Sequence, residues 1–183
     1  MNRRAHRGFT LIELLIALSI FGFLLLIAGP MYADFMGNSQ IRNGAENTLA
    51  GVRLAQTQAV QGNTQAQFIL DTSAAGGWQV TRLDDEKARF LPVQSYKWTN
   101  GASKTTVTSQ PGTATEVTFN GLGRLTDNPD ASARIQWIEV TNTNISTPRK
   151  LRVLVDPATP SGIKLCDPDP GVASTDPRYC PAS

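Results

Sequence analysis

At 183 residues the chain is long enough for one domain with an appendage. It has 17 Lys and Arg against 15 Asp and Glu, but taking away Arg3, Arg4 and Arg7, which precede a long apolar run, leaves 14 against 15; the basic balance is therefore a topogenic signal, not a nucleic-acid surface. The single histidine, His6, belongs to the same leader, so the remainder has no means for His-based acid/base chemistry, a Ser-His-Asp triad or most metal sites, and no enzyme, cofactor or metal is expected.

Residues 9–29 are apolar except for Thr10, Glu13 and Ser19. About 20 helical residues span roughly 30 Å, one hydrocarbon core. The arginines on the N-terminal side place that end in the cytoplasm, and everything after Gly29 across the membrane. A cleaved secretory signal would share the basic start but would have a shorter apolar core without a carboxylate. Met31-Tyr32-Ala33 is also a poor cleavage site for it.

Gly29-Pro30 is expected to kink the helix without ending it, because membrane helices tolerate proline. Beyond it the helical period persists: Ile41, Ala45, Leu49, Val52, Ala55 and Ala59 form one apolar face, with Arg42, Glu46, Asn47, Arg53, Gln56 and Gln61 on the other. Gly62-Asn63 is a stop signal. One helix of about 50 residues, roughly 80 Å long, follows, apolar all round in its first half and amphipathic in its second.

The rest is expected to be β. Strands are expected at 65–70, 77–83, 90–96, 105–108, 115–119, 134–140, 150–155 and 162–166. Asp84-Asp85-Glu86-Lys87 is a charged hairpin turn, and Pro92 favours an edge position for the third strand. Gln110-Pro111-Gly112, Asn120-Gly121-Leu122-Gly123 and Asp127-Asn128-Pro129-Asp130 punctuate the chain. Several antiparallel strands with one amphipathic helix over a face make an α+β layer. The tail is rich in Pro, Asp and Ser, and Cys166 and Cys180 at short spacing in an exported chain are expected to close it as a disulfide.

Gly8-Phe9-Thr10-Leu11-Ile12-Glu13-Leu14 resembles the class III leader and N-terminus of type IV pilins. The resemblance implies that prepilin peptidase cuts after Gly8, that the new terminal Phe9 is N-methylated, and that Glu13 becomes the fifth residue of the processed chain. A carboxylate within a membrane-length segment is a functional position by default. In a helix bundle it must be paired or protonated, and the α-amino group of a neighbouring subunit's Phe9 is the natural cation. Such pairing fixes axial register. The chain thus divides into a leader (1–8), a transmembrane assembly helix (9–29), its amphipathic continuation (30–61) and a β-rich periplasmic head (62–183).

The head is similar to the GspH/FimT/FimU group of minor pilins and pseudopilins. The similarity is carried by Val117-Thr118-Phe119-Asn120-Gly121-Leu122-Gly123-Arg124, by Leu151-Arg152-Val153-Leu154-Val155, and by Ser161-Gly162-Ile163-Lys164-Leu165-Cys166. The closing segment from Cys166-Asp167-Pro168 to Asp176-Pro177-Arg178-Tyr179-Cys180-Pro181 looks most like FimU-type pilus minor pilins. The resemblance implies a structural subunit of a type IV pilus, at its tip or initiation complex. Its partners would be prepilin peptidase, other minor pilins, the major pilin and inner-membrane lipid. Alternatives are pseudopilin H of a type II secretion system and a FimT-like DNA-binding competence pilin.

FimT-like receptors carry a Gly-Arg-x-Arg motif, where this chain has Gly162-Ile163-Lys164-Leu165 beside Asp167, Asp169 and Asp176, which oppose a phosphate. Arg149, Lys150, Arg152 and Lys164 could form a small nucleic-acid patch, with Lys150 and Arg152 on one strand face; a solvated strand face is the competing reading. Trp78, Trp98 and Trp137 read as core or interface residues rather than a stacking platform. Gly121-Leu122-Gly123-Arg124 lacks the glycine spacing and Lys of a phosphate loop.

Overall fold

The computed structural model describes residues 9–156 and 162–181. One helix, α1 (Leu11–Gly62), continues without a break through Gly29-Pro30. Thr10 caps its start: the hydroxyl oxygen accepts from the Glu13 N–H at 3.3 Å. Thr10 and Glu13 have capping-box spacing, and Glu13 in the first turn lies at the favourable end of the helix dipole. At the other end Asn63 adopts a left-handed conformation, φ 46°, and its N–H turns back to the carbonyls of Ala59 and Val60.

Nine strands follow among the described residues: β1 (Ala66–Asp71), β2 (Gly77–Asp84), β3 (Arg89–Lys97), β4 (Thr106–Gln110), β5 (Glu116–Phe119), β6 (Leu125–Thr126), β7 (Trp137–Thr141), β8 (Leu151–Val155) and β9 (Ile163–Cys166). They form two antiparallel sheets, ordered β3-β2-β1-β5-β6 and β4-β7-β8-β9. β3 is an edge strand, as Pro92 requires, and the register slips at Val80/Thr81 opposite it. β6 was not expected, because two residues are too few to show an alternation.

The helix lies across both sheets. Its inward face includes Ile41, Ala45, Val52, Ala55 and Ala59, all fully buried, while Leu49 is half-buried. Three glycines spaced by seven residues let the backbone approach closely. A Cβ on Gly37 would stand 2.5 Å from Ile145 Cγ2, one on Gly44 3.2 Å from Val140 Cγ1, and one on Gly51 2.8 Å from the rings of Phe68 and Trp78. Thr48, polar by type, is also fully buried, its hydroxyl donating to the Gly44 carbonyl at 2.8 Å.

In the first sheet Phe68 pairs with Val80 and Val117 on the helix side, while Gln67, Thr81 and Thr118 line up on the back. The segment 127–134 covers that back face. Asn128, itself buried, accepts from Thr118 Oγ1 at 3.0 Å and donates to Ser132 Oγ at 3.1 Å. The buried Asn128 amide thus has partners on both its oxygen and its nitrogen, as burial demands. Burial pushes the Glu116 carboxyl up beside Asp130, and Ser132 Oγ donates to it.

Candidate functional site

The upstream part of α1 stands apart from the head. Every large apolar side chain described from Phe9 to Leu26 is more than half exposed, from 54 % at Leu15 to 86 % at Phe9. The mean hydropathy of its most apolar window is 2.7, with none of that window buried. At about 25 cal/mol per Å², so large an apolar surface is not stable in water. It must lie in lipid or against other helices. Glu13 is embedded in this surface, and among the described residues its carboxylate has no ion-pair or hydrogen-bond partner. The helix is thus apolar all round but for one carboxylate, a turn from Phe9. Gly8 lies outside the described residues, and Phe9 directly precedes the capping threonine.

A loop of the head fastens itself to α1 just above that segment. Asp34 Oδ1 accepts from the Ser146 N–H at 2.9 Å and Asp34 Oδ2 from the Thr147 hydroxyl at 3.4 Å. Asn38 donates to the Thr147 carbonyl at 3.1 Å and accepts from the Arg149 N–H at 2.8 Å. Ile145 fills the notch over Gly37. Reasoning from sequence missed this latch; its signal was the pairing of short polar side chains at positions 34 and 38, one turn apart, with a glycine between them.

At the far edge of the second sheet, Cys166 and Cys180 are joined, with Cα atoms 5.1 Å apart. Asp167 N–H donates to the Arg178 carbonyl at 2.7 Å, and Lys164 Nζ to the Tyr179 carbonyl at 2.9 Å. Closing a loop of about 15 residues contributes roughly 3 kcal/mol in the chain-entropy account. Asp176 is held down to about 2 by the Arg178 side chain, which reaches both its oxygens, at 3.2 and 2.8 Å.

The cations grouped by sequence are engaged separately. Arg152 meets Glu139 at 2.7 Å and lies over the Trp137 ring at 4.0 Å. Lys150 faces the same Glu139 at 3.7 Å, and Lys164 is turned to the tail. Neither Arg149 nor Lys164 is in an ion pair among the described residues, and Arg149 alone of the four has no described side-chain partner. Of the tryptophans, Trp78 and Trp98 are buried, with Tyr96 between them, while Trp137 is half-buried under Arg152.

A long helix, exposed and apolar first and then seated on antiparallel sheets, with a disulfide-closed tail, is the type IV pilin-like architecture. The chain belongs to the family described as Type II transport protein GspH, which matches residues 44–159, and it carries the Prokaryotic N-terminal methylation motif over residues 3–29. It is 36 % identical over 91 residues to the Type II secretion system protein H of Pseudomonas aeruginosa, covering 49 % of this chain and 51 % of that protein. It is 46 % identical over 76 residues to the Fimbrial protein EcpC of Eikenella corrodens, 42 % and 48 % of the two chains. With the Type IV major alpha-pilin of Moraxella bovis it shares 38 % over 60 residues, 33 % and 38 %. The chain therefore spans about half the length, or less, of the curated relatives it matches. Among solved structures, the type IV minor pilin FimU of P. aeruginosa aligns over 72 % of this chain and 91 % of its own, with TM-score 0.47 and 15 % identity.

Proposed function

We propose that this chain is a structural minor pilin of a type IV pilus, working by assembly and not by catalysis. The observation that carries this is the exposed apolar helix with Glu13, near its start, unpartnered among the described residues. In the bilayer the segment 9–29 anchors the subunit, amino end in the cytoplasm and head in the periplasm. Prepilin peptidase cuts after Gly8, and the freed, N-methylated Phe9 supplies a cation at the level of a neighbour's Glu13. Because a lone buried carboxylate is costly, only the axial offset that pairs the two is tolerated. Other minor pilins and the major pilin are the partners that present matching helices.

Substitution Glu13→Ala is expected to leave membrane insertion intact and to cut incorporation into sheared filaments severely. Normal incorporation of the variant would overturn the register mechanism. The GspH family match and the likeness to a type II secretion protein H support a second reading, a pseudopilin of a secretion system. Deleting the gene separates the two: loss of surface pili supports the first, loss of protein secretion with pili retained supports the second.

A further inference from the structure

The latch on α1 sets the height of the head above the bilayer. Gly29 ends the apolar run, and Tyr32 and Phe35, both strongly exposed, follow where a membrane–water boundary favours aromatic side chains. At 1.5 Å per residue, Asp34 and Asn38 stand about 7 and about 13 Å beyond Gly29. The headgroup layer is itself about 5–7 Å deep on each side. The loop 142–150, bonded to those two helix residues, is thus at or just above the lipid phosphates.

The loop's composition fits that position. Residues 143–150 are Thr, Asn, Ile, Ser, Thr, Pro, Arg and Lys, without a carboxylate. Asp34, the acid on the helix at this level, has its oxygens occupied by Ser146 and Thr147. Arg149 is exposed, with its backbone N–H bonded to Asn38. Lys150, 54 % exposed, reaches Glu139 only at 3.7 Å. Lys104, also exposed, is pinned nearby through its N–H to Gln40 Oε1 at 3.2 Å. Asp167 and Asp169 border the cleft beside Arg149, with Arg178 on the same wall.

We infer that the loop 142–150 is a membrane-docking surface, by which the head rests on anionic lipid headgroups through Arg149 and Lys150, with Lys104 in support. This rests on the membrane-spanning reading of residues 9–29. Docking holds the head in one orientation, and departure of the subunit into a filament must break those charge contacts.

The full chain would be reconstituted in vesicles of equal parts phosphatidylglycerol and phosphatidylcholine, and in vesicles of phosphatidylcholine alone. Both would carry a trace of photoactivatable headgroup lipid, and label would be mapped by mass spectrometry. Label is expected on residues 143–150 in the anionic vesicles, reduced about fivefold for each charge reversed in Arg149→Glu and Lys150→Glu. The turn 84–88, at the opposite end of the head, should stay unlabelled. Equal labelling of 143–150 in both vesicle types, or links between copies in place of lipid label, would overturn docking. Amide exchange of 9–29 in the same samples isolates the underlying reading: protection there with no loop label defeats docking alone, and free exchange there defeats the span and docking together.

Discussion

Between Leu11 and Ala33 the helix carries Leu, Ile and Phe at nearly every turn, and its described side chains are exposed; between Gly37 and Gly62 its inward positions are Gly, Ala, Val, Ile and Thr, pressed against two sheets. The same secondary structure is thus used in two ways. Bulk is kept where the partner is lipid or another subunit, and smallness where the partner is the molecule's own sheets. Small residues bring the helix backbone close, and the volume is supplied by Phe68, Trp78, Val140 and Ile145 from the other side. The chain's folding free energy is concentrated in the second half, leaving the first half available for contact between chains.

The comparison breaks hardest at Phe68, fully buried against Gly51. Phe68→Ala is expected to cost about 3–5 kcal/mol in denaturant unfolding of the head. A loss below 1 kcal/mol would mean the downstream helix does not depend on this packing. Gly51→Val drives a side chain into the Phe68 and Trp78 rings and should cost about 1–3 kcal/mol, whereas Gly22→Ala, with nothing within 4 Å, should leave head unfolding unchanged. Equal effects from the two glycine changes would erase the distinction between the halves. Asn38→Ala removes two hydrogen bonds of the latch and is expected to cost about 1–2 kcal/mol, with faster amide exchange at Arg149 as the local sign.

Much of this helix was legible in the sequence, for a reason that also marks where legibility stopped. Ile41, Ala45, Val52, Ala55 and Ala59 repeat with the helical period, and hydropathy finds them. Gly37, Gly44 and Gly51 repeat just as regularly, but glycine has almost no hydropathy, so the closest approaches went unseen. Thr48 reads as polar, yet its hydroxyl is satisfied by its own helix and can be buried. Asn128 reads as a turn residue, and its role in covering the back of the first sheet depends on partners brought in by pairing of β1, β2 and β5. Arg149, Lys150 and Arg152 look like a patch because they are close in sequence. Glu139, which takes up two of them, comes from the adjacent strand. The cysteine pair was readable because its signal is local in the chain.

The smallest effect expected concerns the tail, which shares neither half of the helix. Asp176 titrates near 2 in the folded chain against an ordinary value of 3.8, because Arg178 bonds its carboxylate. A folded value below the unfolded one means the contact stabilises the tail above the unfolded value and is lost as pH falls through the folded one. Chemical-shift titration should place the Asp176 midpoint near 2, and Arg178→Ala should return it toward 3.8. An unchanged midpoint in the variant would assign the shift to the backbone amide of Arg178 alone.

The latch at Asp34 and Asn38 has a mechanical consequence. A pull along α1 from its membrane end reaches the head first at these two side chains, and their bonds to residues 146–149 run across the helix, from its side to the loop. The force is therefore met in shear by several contacts at once, and then by the length of glycine and alanine packing behind them, instead of peeling the sheets apart strand by strand. A subunit extracted from a bilayer by its helix would move as one body.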